Sequence, residues 1–142
     1  MKDRFKFRAW FKPKYREPIM LYQVEQTYDF MRGEPENVPK DCFGDVLADD
    51  NYIVMQCTGL KDKSGKLIYE GDIVKNFHVS SSMQGRVFIG YVVYDDTRCR
   101  FHIQEDKHCG YITFSDTDDI FEVIGNIYEN PELLEVQNAD NE

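Results

Sequence analysis

Apolar and polar residues alternate along much of this chain with a period of two, the spacing that sends successive side chains to opposite faces of a strand. Arg4-Phe5-Lys6-Phe7-Arg8-Ala9-Trp10 alternates strictly. That predicts a half-buried edge strand with Arg4, Lys6 and Arg8 on one face and Phe5, Phe7 and Ala9 on the other. Met20-Leu21-Tyr22-Gln23-Val24 and Asn51-Tyr52-Ile53-Val54-Met55-Gln56 read as further strands, the second opened by an Asp49-Asp50-Asn51 turn. Asp62-Lys63-Ser64-Gly65 has the composition of a tight turn, and Glu70-Gly71-Asp72 punctuates the chain again just before Ile73-Val74. Val87-Phe88-Ile89-Gly90-Tyr91-Val92-Val93-Tyr94 is the most apolar run. Its β-branched and aromatic content predicts a central strand, bent or bulged at Gly90. Asp95-Asp96-Thr97 turns the chain back into Arg98 to Ile103, where Cys99, Phe101 and Ile103 are expected to share a face. Strands follow at Tyr111 to Phe114 and Phe121 to Gly125.

Helix signals gather at the C-terminal end. Asn130-Pro131-Glu132-Leu133-Leu134-Glu135 offers an N-cap asparagine, proline at the first helical position and an acid in the first turn, so a short helix is predicted there. Residues 136–142 read as a solvated tail. Met31 to Cys42, with Gly33, Pro35 and Pro39 among acids, reads as a loop. Short strands separated by Gly and Asp without long intervening helices define a mainly β fold, a small barrel with a minor helical part.

Three separated stretches resemble one family. Met55 to Val74, MQCTGLKDKSGKLIYEGDIV, is similar to the signature of the YopX family of bacteriophage and prophage proteins. Lys6-Phe7-Arg8-Ala9-Trp10 resembles the family's opening, and Val123-Ile124-Gly125-Asn126-Ile127-Tyr128-Glu129-Asn130-Pro131-Glu132-Leu133-Leu134 resembles its close. The stretch Phe11 to Pro18 is longer than the polar turn usual in the family, so the first hairpin is expected to differ. The resemblance implies a Src-homology-3-like small β-barrel around Gly71-Asp72-Ile73-Val74 and Gly85 to Tyr94, with additional N-terminal strands beside it and a short C-terminal helix. It also implies a phage-derived accessory protein, and it assigns no reaction. Residues 1–142 are read as a single domain of this kind, with N-terminal strands and a loop over 1–54, the barrel over 55–129, and the helix and tail over 130–142.

At 142 residues the chain can bury enough apolar surface to fold without metal or disulfide staples. No apolar run approaches a membrane span, and the charged, aromatic N-terminus lacks a signal-peptide core, so a cytoplasmic protein of the bacterial host is expected, with no membrane partner. Cys42, Cys57, Cys99 and Cys109 are accordingly expected as thiols. The net charge of -9 is strongly polarised. Lys2, Arg4, Lys6, Arg8, Lys12, Lys14 and Arg16 meet only Asp3 and Glu17 at the start, whereas Ser115 to Glu142 holds acids and no Lys or Arg. Such asymmetry suits either a nucleic-acid arm or complementary surfaces between subunits, and overall acidity favours the second.

Three groups of residues invite chemistry. Cys99, His102, His108 and Cys109 are zinc-ligand types, but no Cys-x-x-Cys occurs and the strand positions of Cys99 and His102 point to opposite faces, so no metal is expected. Asp45, Asp49, Asp50, Asp95, Asp96, Asp116, Asp118 and Asp119 read as turn caps and solvated charges, because no nucleophile or base recurs beside them. No cofactor or enzymatic activity is therefore expected. The basic aromatic arm Arg4, Lys6, Arg8, Trp10, Lys12 and Lys14, with Phe5, Phe7, Phe11 and Tyr15 interleaved, is the expected binding surface. Its partner is expected to be a second copy or another protein, met through the acidic counter-surface Asp116, Asp118, Asp119 and Glu122. The alternative is single-stranded nucleic acid, which requires exposed rings for stacking.

Overall fold

The computed structural model describes residues 2–26, 43–78, 87–105, 111–114 and 119–135. The expected loop at Met31 to Cys42, the tip near Ser80, and the tail 136–142 lie outside them. The chain groups into two compact units, Met1–Gly59 and Leu60–Glu142, with the boundary a few residues beyond the 1–54 segment.

The N-terminal unit begins with a 3-10 turn at Lys2–Phe5 and continues into β1 (Phe7–Phe11) and β2 (Ile19–Tyr22). A short helix α1 (Phe43–Ala48) precedes β3 (Tyr52–Lys61). β1 lies between β2 and β3, antiparallel to both. The expected edge strand is thus central, and it starts three residues late. Asp3 explains the late start: its carbonyl accepts the Lys6 amide at 3.0 Å and its carboxylate pairs with the Lys6 ammonium at 2.8 Å, closing a tight turn where alternation alone suggested extension.

One face of this sheet carries Ala9 and Leu21, both buried, which pack with Val24 and with Val46 of α1. Phe7 meets Phe43 at 4.9 Å and Phe11 stacks on Tyr52 at 4.5 Å, so aromatic pairs seal that core at both ends of β1. The other face holds Arg8, Trp10 and Met55, and the arginine itself is only 2% exposed. Arg8 does not stand on a solvent face as the alternation suggested. Alternation sorts the residues of β1 into two faces and does not by itself say how deeply each is buried.

β3 runs past Gly59 into the second unit and turns into β4 (Leu67–Tyr69), followed by β5 (Asp72–His78), β6 (Val87–Asp95), β7 (Arg100–Gln104), β8 (Tyr111–Thr113), β9 (Asp119–Asn126) and the helix α2 (Glu132–Glu135). Five strands form one antiparallel sheet in the order β8-β7-β6-β5-β9. The molecule is mainly β, and the small barrel takes the form of a curled half-barrel. Ile68, Val74, Val92, Ile103 and Phe121 form its core.

The two turns of the signature are built as their residues dictate. Asp62 Oδ1 accepts the Ser64 and Lys66 amides at 2.8 and 2.9 Å, and Gly65 takes φ +83°. Asp62 Oδ2 reaches across to the Val123 amide at 3.0 Å, while Lys63 N–H donates to the Phe121 carbonyl at 2.9 Å, so this turn clips onto β9. In the second turn Gly71 has φ +78° and Asp72 accepts the Tyr69 amide at 2.8 Å.

Gly90 is not a bulge. Val74 and Gly90 pair in continuous register, and the irregularity falls instead at Ile73/Val74 against β9. A Cβ on Gly90 would sit 2.6 Å from the Gln104 carbonyl oxygen and 2.6 Å from Ile103 Cγ2, so the glycine permits close approach of β7.

Candidate functional site

The basic arm is divided by the fold rather than presented as one stripe. Arg4 lies in the 3-10 turn, with its guanidinium 5.0 Å from the centre of the Phe5 ring, and Phe5 is 59% exposed. Lys6 is engaged by Asp3, whose hydrogen bond raises the ammonium pKa. Arg8 is buried, and Trp10 is half-buried. Lys12 and Lys14 are exposed beyond the end of β1, and Lys14 stands 5.2 Å from the ring centre of Tyr15, which is 85% exposed.

The arm therefore offers two exposed cation-aromatic pairs, at opposite ends of β1. The sequence reading placed the rings of an alternating strand inside. Phe5 escapes because it precedes the strand, and Tyr15 because it sits in the β1–β2 connection. Beside Tyr15 the chain passes into β2, where Ile19 and Tyr22 are 42% and 47% exposed. Within the described residues of this unit, β2 borders β1 alone and so forms a sheet edge.

The acidic counter-surface is only partly within view. Asp116 and Asp118 lie outside the described residues, and Asp119 contributes its backbone to β9. Glu122 pairs with Lys63 at 3.1 Å. Lys63 and Lys75 both approach the Phe77 ring, at 5.0 and 5.2 Å, making a mixed charged and aromatic cluster on the outer side of β5 that alternation did not single out.

The carboxylates of the turns hold backbone. Asp49 accepts the amide and the side-chain NH2 of Asn51, each at 2.9 Å. Asp95 Oδ1 accepts the Thr97 hydroxyl at 2.6 Å and its amide at 3.0 Å, while Oδ2 accepts Arg98 Nη1 at 2.9 Å. The Thr97 hydroxyl first, and Arg98 next, hold the Asp95 carboxyl far below the usual carboxylate range. Burial pushes the Asp62 carboxyl up, but its three backbone amides outweigh that and leave it lowered.

The zinc-type residues separate. Cys99 sits in the β6–β7 turn at φ +50°, and its thiol donates to the Asp96 carbonyl at 3.7 Å. Burial first, and the neighbouring Cys99 next, raise the pKa of the Tyr94 hydroxyl. His102 Nδ1 lies 3.8 Å from Asp95 Oδ2. Asp95 and Tyr94 are adjacent strand positions on opposite faces, so the thiol and the imidazole are directed apart. His108 and Cys109 are outside the described residues. Among the described residues no three His, Cys, Asp or Glu side chains converge as a metal set. Cys57 is a buried thiol and Cys99 an exposed one. Among the described residues, no helix is long and apolar enough to cross a membrane.

The C-terminal phrase is likewise structural. Asn126 Oδ1 accepts the Tyr128 and Glu129 amides at 3.1 and 2.9 Å, and its Nδ2 donates to Glu129 at 3.0 Å. Asn130 Oδ1 accepts the Asn126 amide at 3.3 Å, so the asparagine expected as an N-cap spends its side chain on the preceding turn.

Comparison with known proteins agrees with this architecture. A family model described as "YopX protein" matches residues 6–135. Among solved structures, the crystal structure of protein EF1440 from Enterococcus faecalis is similar, with 30% sequence identity and a TM-score of 0.54. The likeness covers 91% of this chain and 96% of that one. No curated protein matches the sequence.

Proposed function

The chain belongs to the YopX family, and from that premise we propose that it is a non-enzymatic phage or prophage accessory protein of the bacterial cytoplasm that works by binding, through self-association or contact with another protein. The observation that carries this reading is the β2 edge, where exposed Ile19 and Tyr22 border the exposed cations of the preceding connection. An uncovered strand edge offers backbone donors and acceptors to another strand, and exposed aliphatic and aromatic side chains add apolar area to such a contact. The carboxylates point the same way. Asp49, Asp62, Asp72 and Asp95 accept backbone hydrogen bonds from their own turns, which leaves them poorly suited to proton transfer. Of the arm's cations, Arg4, Lys12 and Lys14 are exposed enough to border such a contact, whereas Arg8 is buried.

Molar mass by light scattering tests the reading. Ile19→Lys places a charge on the edge without disturbing a buried side chain, and it is expected to lower the mass of an assembly while leaving the circular dichroism spectrum unchanged. An unaltered mass would remove β2 from the interface.

A second reading, single-stranded nucleic-acid binding, is favoured by the exposed Arg4–Phe5 and Lys14–Tyr15 pairs, which satisfy the need for accessible rings beside cations. It predicts that a labelled oligonucleotide binds with an affinity falling linearly on a log-log salt plot. It also predicts that Phe5→Ala and Tyr15→Ala each weaken binding.

A further inference from the structure

Among the described residues, the core face of the five-stranded sheet holds a side chain whose polar atoms find no partner. Asn76 lies on β5, two residues from the buried Val74 and on the same face, and it is 1% exposed. Its register partners are Phe88 on β6 and Phe121 on β9. Residues directly opposite in an antiparallel ladder project to one side, so the carboxamide stands between two phenylalanines. Phe121 packs in turn on Phe114 at 5.0 Å. Neither Nδ2 nor Oδ1 of Asn76 has a hydrogen-bond partner. A primary amide removed from water with both of its polar atoms unmatched is a costly and uncommon arrangement.

The surroundings restrict what could satisfy it. Among the described side chains, Val74, Val92 and Ile103 complete an apolar core around Phe121. The apolar side chains beside the amide favour an uncharged ligand, and a purely aliphatic one would leave the amide unmatched. A carboxamide presents one donor and one acceptor side by side, the edge complementary to a ring amide or to an amino group beside a ring nitrogen.

We propose that Asn76 is the polar anchor of a small-molecule site inside the half-barrel, for a flat, uncharged heterocycle of the nucleobase type that pairs with the carboxamide and packs among Phe88, Phe114 and Phe121. Because Asn76 is covered, binding is coupled to reorientation of the rings above it. The site belongs to the C-terminal unit alone and is independent of the basic arm. It makes the module a carrier or sensor of a small ligand in addition to any macromolecular contact. A few convergent polar groups in an apolar, aromatic lining are the ordinary composition of such sites.

The test follows the Asn76 side-chain NH2 in 15N-labelled protein, identified as the signal pair lost in Asn76→Leu. Uracil, adenine and nicotinamide are titrated to millimolar concentration, with benzoate as the charged control. At least one heterocycle is expected to shift the Asn76 signals saturably while benzoate does not. Followed on the backbone amide signals of β5, β6 and β9, Asn76→Leu and Asn76→Ala are expected to bind that heterocycle about tenfold or more weakly, the scale of losing a hydrogen-bonded pair. Two variants guard against misfolding, and Asn76→Leu is expected to melt no lower than the parent, since it relieves an unsatisfied group. If no heterocycle moves these signals, or if the variants bind equally well, Asn76 is at most the seat of an internal water and the proposal fails.

Discussion

Removing the Asp62 carboxylate tests whether the signature turn holds the half-barrel together. Three backbone amides depend on that side chain: Ser64 at 2.8 Å, Lys66 at 2.9 Å and Val123 at 3.0 Å. A hydrogen bond to a charged group contributes about 1.5–3 kcal/mol, and a donor that can rehydrate loses much less than one that cannot. Ser64 and Lys66 are exposed and Val123 is half-buried. Asp62→Ala is therefore expected to cost about 2 kcal/mol at Val123 and roughly 1 kcal/mol at each turn amide where it rehydrates, a total of about 3–4 kcal/mol. For a chain of this length that corresponds to a fall of roughly 10 °C in Tm. Asp62→Asn keeps Oδ1 for the turn but sets an NH2 against the Val123 N–H, so its loss is expected near 2 kcal/mol. Urea denaturation followed by far-UV circular dichroism measures both. The folded-state pKa of Asp62 lies below its unfolded value, so its contribution is complete above about pH 4 and is lost as the pH falls through the folded pKa. The gap between the parent and Asp62→Asn should narrow on acidification in that direction. A loss under about 1 kcal/mol for Asp62→Ala would refute the clip onto β9, because the part-buried Val123 bond alone should exceed it.

Other substitutions separate close approach from backbone freedom and surface charge from buried charge. Gly90→Ala drives a Cβ against the Gln104 carbonyl and is expected to cost about 2–3 kcal/mol. Gly65→Ala meets nothing within 4 Å but must hold φ +83°, so about 1 kcal/mol is expected, and equal losses in urea melts would contradict this distinction. Carbon-detected NMR should find the Asp95 carboxyl still ionised well below the ordinary carboxylate range, and a titration near pH 3.9 would remove Thr97 and Arg98 as its partners. Arg8→Glu should unfold the N-terminal unit, seen in Trp10 fluorescence, whereas the exposed Lys14→Glu should shift stability by less than about 0.5 kcal/mol.

The parts of the fold that sequence reading recovered are those encoded locally. In their turns Asp62, Asp72 and Asp95 accept amides within four positions, so that part of their chemistry is visible in a short window, unlike the Asp62 bond to Val123. The strand from Val87 was legible as central because it is apolar on both faces. Misreadings arose where one pattern has two physical causes. Alternation from Arg4 onward fits a strand, yet the Asp3–Lys6 pairing closes a turn through Phe5. Gly90 fits a bulge equally well, yet it serves a close approach that depends on a strand ten or more residues away. Helix α1 escaped notice because six residues containing Gly44 show too little of a 3.6-residue period.

The proposed contact surface follows from composition and not from placement. Clustered Lys, Arg and aromatic residues mark the arm as unusual. Which of them reach solvent depends on β1 being central, and that follows from a long-range pairing with β3. The unsatisfied amide of Asn76 had no sequence signal at all, since an asparagine in Val-Lys-Asn-Phe-His gives no hint of burial between phenylalanines.

Self-association is the claim on which the account turns, and molar mass in solution tests it most directly. Purified protein measured by multi-angle light scattering at low and high salt is expected to give a fixed integer multiple of the 16.8 kDa chain, unchanged by salt and by added oligonucleotide. A 16.8 kDa monomer that shifts onto the oligonucleotide and releases it in salt would contradict the account and make the exposed Arg4–Phe5 and Lys14–Tyr15 pairs a nucleic-acid site.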